Sequence, residues 1–130
     1  MKLRMEKTKT KKILVIEQSE FHRFFYSYVL SFYYSCPVLT TDCGEKALKI
    51  IEENNLDLIY VDIANSAAGG LETLKKLRYY FPDFKVPIIA ITMDRDRDTL
   101  SQLISLGITE YIVKPEGEEN IFEKLGVCFN

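Results

Sequence analysis

The chain has 130 residues, 47% hydrophobic and 28% charged, which suits one soluble globular domain with an adequate core. Its net charge of −2 gives no global attraction to nucleic acid or to an anionic membrane. Cys36, Cys43 and Cys128 are odd in number and form no CxxC pair, so they fit a reducing cytoplasm better than a disulfide framework or a zinc site.

Lys2, Arg4, Lys7, Lys9, Lys11 and Lys12 face a single acid, Glu6, at the start of the chain. Residues 1–11 read as a flexible, solvated basic tail, and residues 12–130 as one domain. Contact of the tail with nucleic acid or an acidic partner is the alternative. Charges occupy the positions where a signal peptide needs an apolar segment. The most apolar stretch, Phe21 to Tyr34, is too short to span a bilayer and carries His22 and Arg23. These features predict a cytoplasmic protein without a membrane or direct nucleic-acid partner.

From Lys11 onward, apolar runs alternate with amphipathic stretches. Ile13 to Ile16 reads as a strand, and Ser19 or Glu20 opens a helix to about Ser35. Val38 to Thr41 is a second strand, followed by a helix from Gly44 to about Asn54 with Ala47, Leu48 and Ile51 on one face. Leu58 to Asp62 is the third strand. Gly69-Gly70 opens a helix that turns Leu71, Leu74 and Leu77 to the core, and Pro82 ends the region. Pro87 starts a strand ending at Thr92; the charged loop Asp94 to Asp98 leads into a helix reaching Leu106, with Gly107 as its C-cap. Tyr111 to Val113 is the fifth strand, and Glu118 to Leu125 a short last helix. Five βα units predict a three-layer sandwich with helices on both faces of a parallel sheet.

Three of the apolar runs end in polar residues: Leu58-Ile59-Tyr60-Val61 in Asp62, Ile88-Ile89-Ala90-Ile91 in Thr92, and Tyr111-Ile112-Val113 in Lys114. Short continuous apolar runs read as buried parallel strands, whose carboxyl ends line the ligand crevice of an open α/β sheet. A carboxylate, a hydroxyl and an ammonium delivered to one place suit phosphoryl chemistry. Lys12-Ile-Leu-Val-Ile-Glu17, Asp57-Leu-Ile-Tyr-Val-Asp62, Gly70-Leu71-Glu72, Pro87-Ile-Ile-Ala-Ile-Thr92 and Tyr111-Ile-Val-Lys114-Pro115 occur in the order and spacing of one family. Together they resemble the receiver domain of two-component response regulators, from Lys12 to about Leu125.

The resemblance implies a flavodoxin-like (βα)5 fold with strand order 2-1-3-4-5. It also implies a signalling domain rather than an enzyme, with only weak autophosphorylation or autodephosphorylation. Asp62 would accept a phosphoryl group from a sensor histidine kinase or phosphotransfer protein. Thr92 and Lys114 would contact that group, and the Lys114-Pro115 bond would be cis. Mg²⁺ would be held by Asp62, by the backbone carbonyl at Ala64 and by the acids ending the first strand. In the family that strand ends in two acids; here the positions read Glu17-Gln18. A glutamine oxygen brings no charge and Glu17 is one methylene longer than the usual aspartate, so weakened Mg²⁺ binding is expected. Glu20 reads as a partner of the helix dipole. Ala64 to Ala68 lacks the proline and acid usual there, and Met93 is bulkier than the small residue common after Thr92.

Tyr111 would be the switch aromatic coupled to Thr92, altering the surface of the fourth helix, fifth strand and fifth helix; its other reading is an ordinary strand aromatic. In the first helix, Phe25, Tyr26, Val29, Leu30 and Tyr33 are expected on the sheet. Phe21, Phe24, Tyr28 and Phe32 form a second stripe about 115° away. That stripe is either a docking or homodimer surface or a wide core edge. His22, the only histidine, reads as a surface or rim residue.

Only four residues follow Gly126, so the reading is a single-domain receiver signalling through a downstream protein target, or a piece excised from a longer regulator. A pseudo-receiver binding module that needs no phosphate is the alternative, favoured by Glu17-Gln18. An FMN carrier of the same topology would need a Ser/Thr/Gly-rich phosphate loop after the first strand; Glu17 and Glu20 there would repel phosphate.

Overall fold

A computed structural model describes residues 12–63, 69–92 and 97–113. The apolar runs become strands: β1 (Ile13–Ile16), β2 (Val38–Thr41), β3 (Leu58–Asp62), β4 (Ile88–Thr92) and β5 (Glu110–Val113). Between them lie α1 (Glu20–Tyr34), α2 (Gly44–Glu53), α3 (Gly70–Tyr80) and α4 (Arg97–Ser105). All strand pairs are parallel, in the order β2-β1-β3-β4-β5. The expected sheet order is therefore observed. The tail, Ala64, Met93, Lys114, Pro115, Cys128 and the stretch Glu118 to Leu125 lie outside the described residues.

The order explains the layers. The chain leaves β1 in one direction to form β2, then returns across β1 to β3 and continues outward to β5. Right-handed crossovers put connections of opposite direction on opposite faces. Accordingly, α1 packs on one face, where Tyr26, Leu30 and Tyr34 meet Ile13, Val15, Leu58, Tyr60, Ile89, Ile91 and Ile112. On the other face Ala47 and Ile51 of α2, Leu74 and Leu77 of α3 and Leu103 of α4 meet Leu14, Ile16, Ile59, Val61, Ile88 and Ala90. Alternate residues of each strand serve opposite faces, which is why β1, β3 and β4 are apolar without interruption. Tyr60 is fully buried at the centre, its ring 5.1 Å from that of Tyr26.

Several boundaries move by one residue or a few. Ser19 caps α1, its hydroxyl accepting from the His22 N–H at 3.3 Å, and Ser35 ends it in the left-handed region at φ 52°. Helix α4 starts at Arg97, within the stretch read as loop, and stops at Ser105. Gly107, at φ 78°, donates to the Ile104 carbonyl at 2.9 Å, as expected of a residue that ends a helix. Arg78 then ties α3 to this corner: its guanidinium donates to the carbonyls of Leu106 (2.6 Å), Phe84 (2.8 Å) and Gly107 (3.1 Å).

The reading of α1 needs one correction. Tyr33, expected on the sheet, is exposed, and Tyr34 is buried in its place. The buried row Tyr26, Leu30, Tyr34 is an i, i+4, i+8 ridge, inclined to the helix axis. Contact with the sheet follows that ridge, so by the last turn it has moved one residue along from the position a straight face would give. The core-edge reading of the second stripe is also overturned, since Phe21, Phe24, Tyr28 and Phe32 are between 63% and 74% exposed.

Candidate functional site

The turning point of the topology lies between β1 and β3, where the chain's connections diverge to opposite faces. In open parallel sheets the crevice at the strands' carboxyl ends forms there. Ile16 pairs with Val61, so the next residues, Glu17 and Asp62, end neighbouring strands. The Glu17 N–H extends the ladder to the Thr41 carbonyl at 3.0 Å. On the other side, Asp62 pairs with Ile91 and the Ile63 N–H donates to the Ile91 carbonyl at 2.6 Å, which puts Thr92 one step beyond Asp62. Thr92 in turn pairs with Val113, the residue before Lys114.

Glu17, Asp62 and Thr92 are all at most 3% exposed. Two carboxylates and a hydroxyl are thus gathered in buried positions at the ends of three adjacent strands. Isolated carboxylates are not kept in such places without partners, because desolvation penalises the charge. Glu17 Oε2 accepts the Ser19 N–H at 3.0 Å, which also fixes the turn into α1.

The second position of the first-strand pair behaves differently. Gln18 is exposed. The loop around it is held by Arg23, whose Nη1 donates to the carbonyls of both Glu17 and Gln18 at 2.8 Å. Nothing in the residue pattern singled out Arg23; only its place on the first turns of α1, facing back over the loop, could have signalled it. Asp42, just beyond β2, is paired with Lys46 at 3.3 Å, and that hydrogen bond and charge hold its carboxyl below the usual range.

Gly70 was also missed as a site residue, although the Gly69-Gly70 pair was read as the start of a helix. A Cβ on Gly70 would collide with the backbone carbonyl of Asp62. Helix α3 can approach the end of β3 this closely only because residue 70 has no side chain. Gly69, at φ 69°, supplies the left-handed turn before it, and its carbonyl accepts from the Thr73 N–H (2.7 Å) and the Thr73 hydroxyl (2.7 Å).

Tyr111 is half-buried, packed against the cluster that includes Leu103 of α4. His22 is half-buried, with its ring stacked 6.2 Å from that of Tyr26. The four-residue stripe of α1 stands apart, in solvent. Lys114 and Ala64 lie outside the described residues. Among the described residues no group of three or more His, Cys, Asp or Glu side chains comes together as a metal cluster, and no helix is long and apolar enough to cross a membrane.

A family model, that of the response regulator receiver domain, matches residues 13–126. The chain belongs to this family. The receiver domain is 30% identical over 116 residues to the CAI-1 autoinducer sensor kinase/phosphatase CqsS of Vibrio cholerae, covering 88% of this chain and 17% of that protein. It is 31% identical over 88 residues to the response regulator GacA of Pseudomonas aeruginosa, covering 68% of this chain and 40% of GacA. The chain thus spans less than half the length of these curated relatives. Among solved structures, the chemotaxis protein CheY4 of Vibrio cholerae superposes with a TM-score of 0.80 at 24% identity, covering 90% of this chain and 97% of CheY4. A response regulator from Thermotoga maritima gives 0.77 at 19% identity, covering 93% and 98%. At these identities the two structures speak for the fold, and the family match for two-component signalling.

Proposed function

We propose that this receiver domain accepts a phosphoryl group on Asp62 from the phosphohistidine of a sensor kinase or phosphotransfer protein, and signals by docking a downstream protein. The observation that carries this reading is the burial of Asp62 at the carboxyl end of the central strand, with Glu17 and Thr92 on the neighbouring strand ends. In the transfer, an Asp62 carboxylate oxygen attacks phosphorus in line with the leaving imidazole nitrogen; the P–O bond forms as the P–N bond breaks. Such transfer is governed by positioning and charge neutralisation. The Thr92 hydroxyl donates to a phosphoryl oxygen. Lys114, next after the partner of Thr92 in the register, supplies the fixed positive charge.

The donor set fits Mg²⁺ at its minimum. Mg²⁺ takes hard oxygen ligands in near-octahedral geometry, usually one or two carboxylates with water completing the shell. Glu17 and Asp62 would be those two, with the Ala64 carbonyl and the Gln18 amide oxygen as candidate neutral ligands by resemblance. When bound, the ion neutralises charge that builds on the phosphoryl oxygens. A second full carboxylate at position 18 is missing, and the Gln18 side chain is solvent-exposed, so we expect weaker binding than two strand-end acids would give. Tyr111, set against the α4 cluster, would carry the change at Thr92 to the α4–β5 surface.

Intact-mass measurement after incubation with acetyl phosphate and saturating Mg²⁺ tests this. The expected result is one phosphoryl adduct on the wild-type chain and none on Asp62→Asn. No adduct on the wild type at saturating metal would leave a binding module with no phosphoacceptor.

A further inference from the structure

In a strand, successive carbonyls point to opposite neighbours and successive side chains to opposite faces. At the end of β1 this alternation breaks. The carbonyls of Glu17 and Gln18, consecutive in the chain, both accept from one nitrogen, Nη1 of Arg23, at 2.8 Å each. Two consecutive carbonyls reach one atom only if the backbone turns there. Within this turn the Glu17 side chain is buried and that of Gln18 is left in solvent.

The rest of the turn closes on itself. The Glu17 N–H donates to the Thr41 carbonyl at 3.0 Å, the Ser19 N–H to Glu17 Oε2 at 3.0 Å, and the Arg23 N–H to the Ser19 carbonyl at 2.8 Å. Arg23 therefore holds the turn through both its side chain and its backbone. Its backbone bond is an ordinary first bond of a helix, open to almost any residue at this position. The side-chain bonds need a nitrogen carrying at least two N–H groups. After the hydrogen bond and charge of Lys46, the Arg23 charge also helps hold the Asp42 carboxyl below its usual range. It is thus felt at β2, on the far side of β1 from Asp62.

We propose that Arg23 is the positioning residue of the Mg²⁺ site: by gathering the Glu17 and Gln18 carbonyls, it fixes the direction in which Glu17 presents its carboxylate. This rests on the reading of Glu17 and Asp62 as Mg²⁺ ligands. With one acid at the end of β1, no second carboxylate compensates for a misplaced first one. Mg²⁺ demands near-octahedral geometry, so an unpinned Glu17 lowers affinity while its charge stays intact. Groups that orient metal ligands from outside typically matter by about 10–100-fold in affinity. Charge alone gives the opposite sign, because a nearby cation repels Mg²⁺ and its removal tightens binding. The sign of the change therefore separates positioning from charge.

Calorimetric Mg²⁺ titration of the full chain and of its Arg23→Met and Arg23→Lys variants tests the proposal, with circular dichroism checking that each titrated chain is folded. Arg23→Met should bind Mg²⁺ at least about tenfold more weakly than the wild type. Arg23→Lys should recover part of that loss, since one ammonium nitrogen can serve both carbonyls. In the metal-free chain, amide hydrogen exchange should quicken at Ser19 in Arg23→Met and stay unchanged at Val15 and Ile16. That readout reports the turn without the ion. Equal or tighter Mg²⁺ binding by Arg23→Met overturns the inference and leaves the metal reading standing. So does unchanged exchange at Ser19, or an Arg23→Lys chain that binds no better than Arg23→Met. A wild type that binds no Mg²⁺ at all overturns the metal reading and this inference with it.

Discussion

The carboxyl end of β1 and those of β3 and β4 sit side by side in one sheet, yet they are built to different standards. At β3 and β4, apolar strands run without interruption into Asp62 and Thr92, and backbone bonds across to neighbouring strands hold both ends. At β1 the buried acid Glu17 is followed by an exposed amide, Gln18, in a loop clamped by Arg23. The ends of β3 and β4 carry the aspartate and threonine that the resemblance calls for, although the residues after each depart from it, and the end of β1 carries one acid where the family has two. A shared fold therefore does not by itself fix the charge at the strand ends, because the ends are placed by the core beneath them while charge is set residue by residue.

The sharpest way to break the end of β3 is through α3. Gly70→Ala puts a methyl against the Asp62 carbonyl, backbone against which no side chain can give way. We expect a loss of about 1–3 kcal/mol in urea unfolding, as for other overpacked sites. At the end of β1, where Mg²⁺ is proposed to bind, Gln18→Asp adds a second strand-end acid. Tyrosine fluorescence or calorimetric titration should show Mg²⁺ affinity rising about tenfold, which corresponds to about 1.4 kcal/mol; unchanged affinity would mean that the side chain at position 18 does not reach the ion. Arg23→Met removes the clamp on the same loop. Its bonds are partly exposed, so about 1 kcal/mol or less is expected in stability, read from thermal melts.

The far edge of the sheet supplies the smallest effect and a control. Burial, followed by the negative charge of Asp57, pushes the Cys36 thiol above its ordinary range. The folded chain thus holds that proton more tightly than the unfolded chain. Its contribution to stability is complete below the ordinary thiol range and is lost as the pH rises through the raised folded value. Alkylation followed by mass mapping at rising pH should label the half-buried Cys43 before Cys36.

Much of this was legible in the sequence. Continuous apolar runs reported the strands because both faces of a parallel sheet are buried, and two of the polar residues ending those runs, Asp62 and Thr92, lie buried at neighbouring strand ends. The order of the strands came from resemblance, since periodicity carries no information on which strands pair. The clamp by Arg23 and the contact of Gly70 with Asp62 were not readable, because each depends on the distance between segments brought together only by folding. The row Tyr26, Leu30, Tyr34 was misjudged at its end for a related reason: the angle at which α1 crosses the sheet is a tertiary property. Apolarity alone could not separate the buried ridge of α1 from its exposed stripe.

The central claim is that Asp62 is the phosphoacceptor. Peptide mapping by tandem mass spectrometry, after treatment of the wild-type chain with acetyl phosphate at saturating Mg²⁺, tests it most directly. The account predicts a single acyl-phosphate, carried on the peptide containing Asp62 and lost on treatment with hydroxylamine. A chain that stays unmodified, or one labelled on any residue other than Asp62, would contradict it.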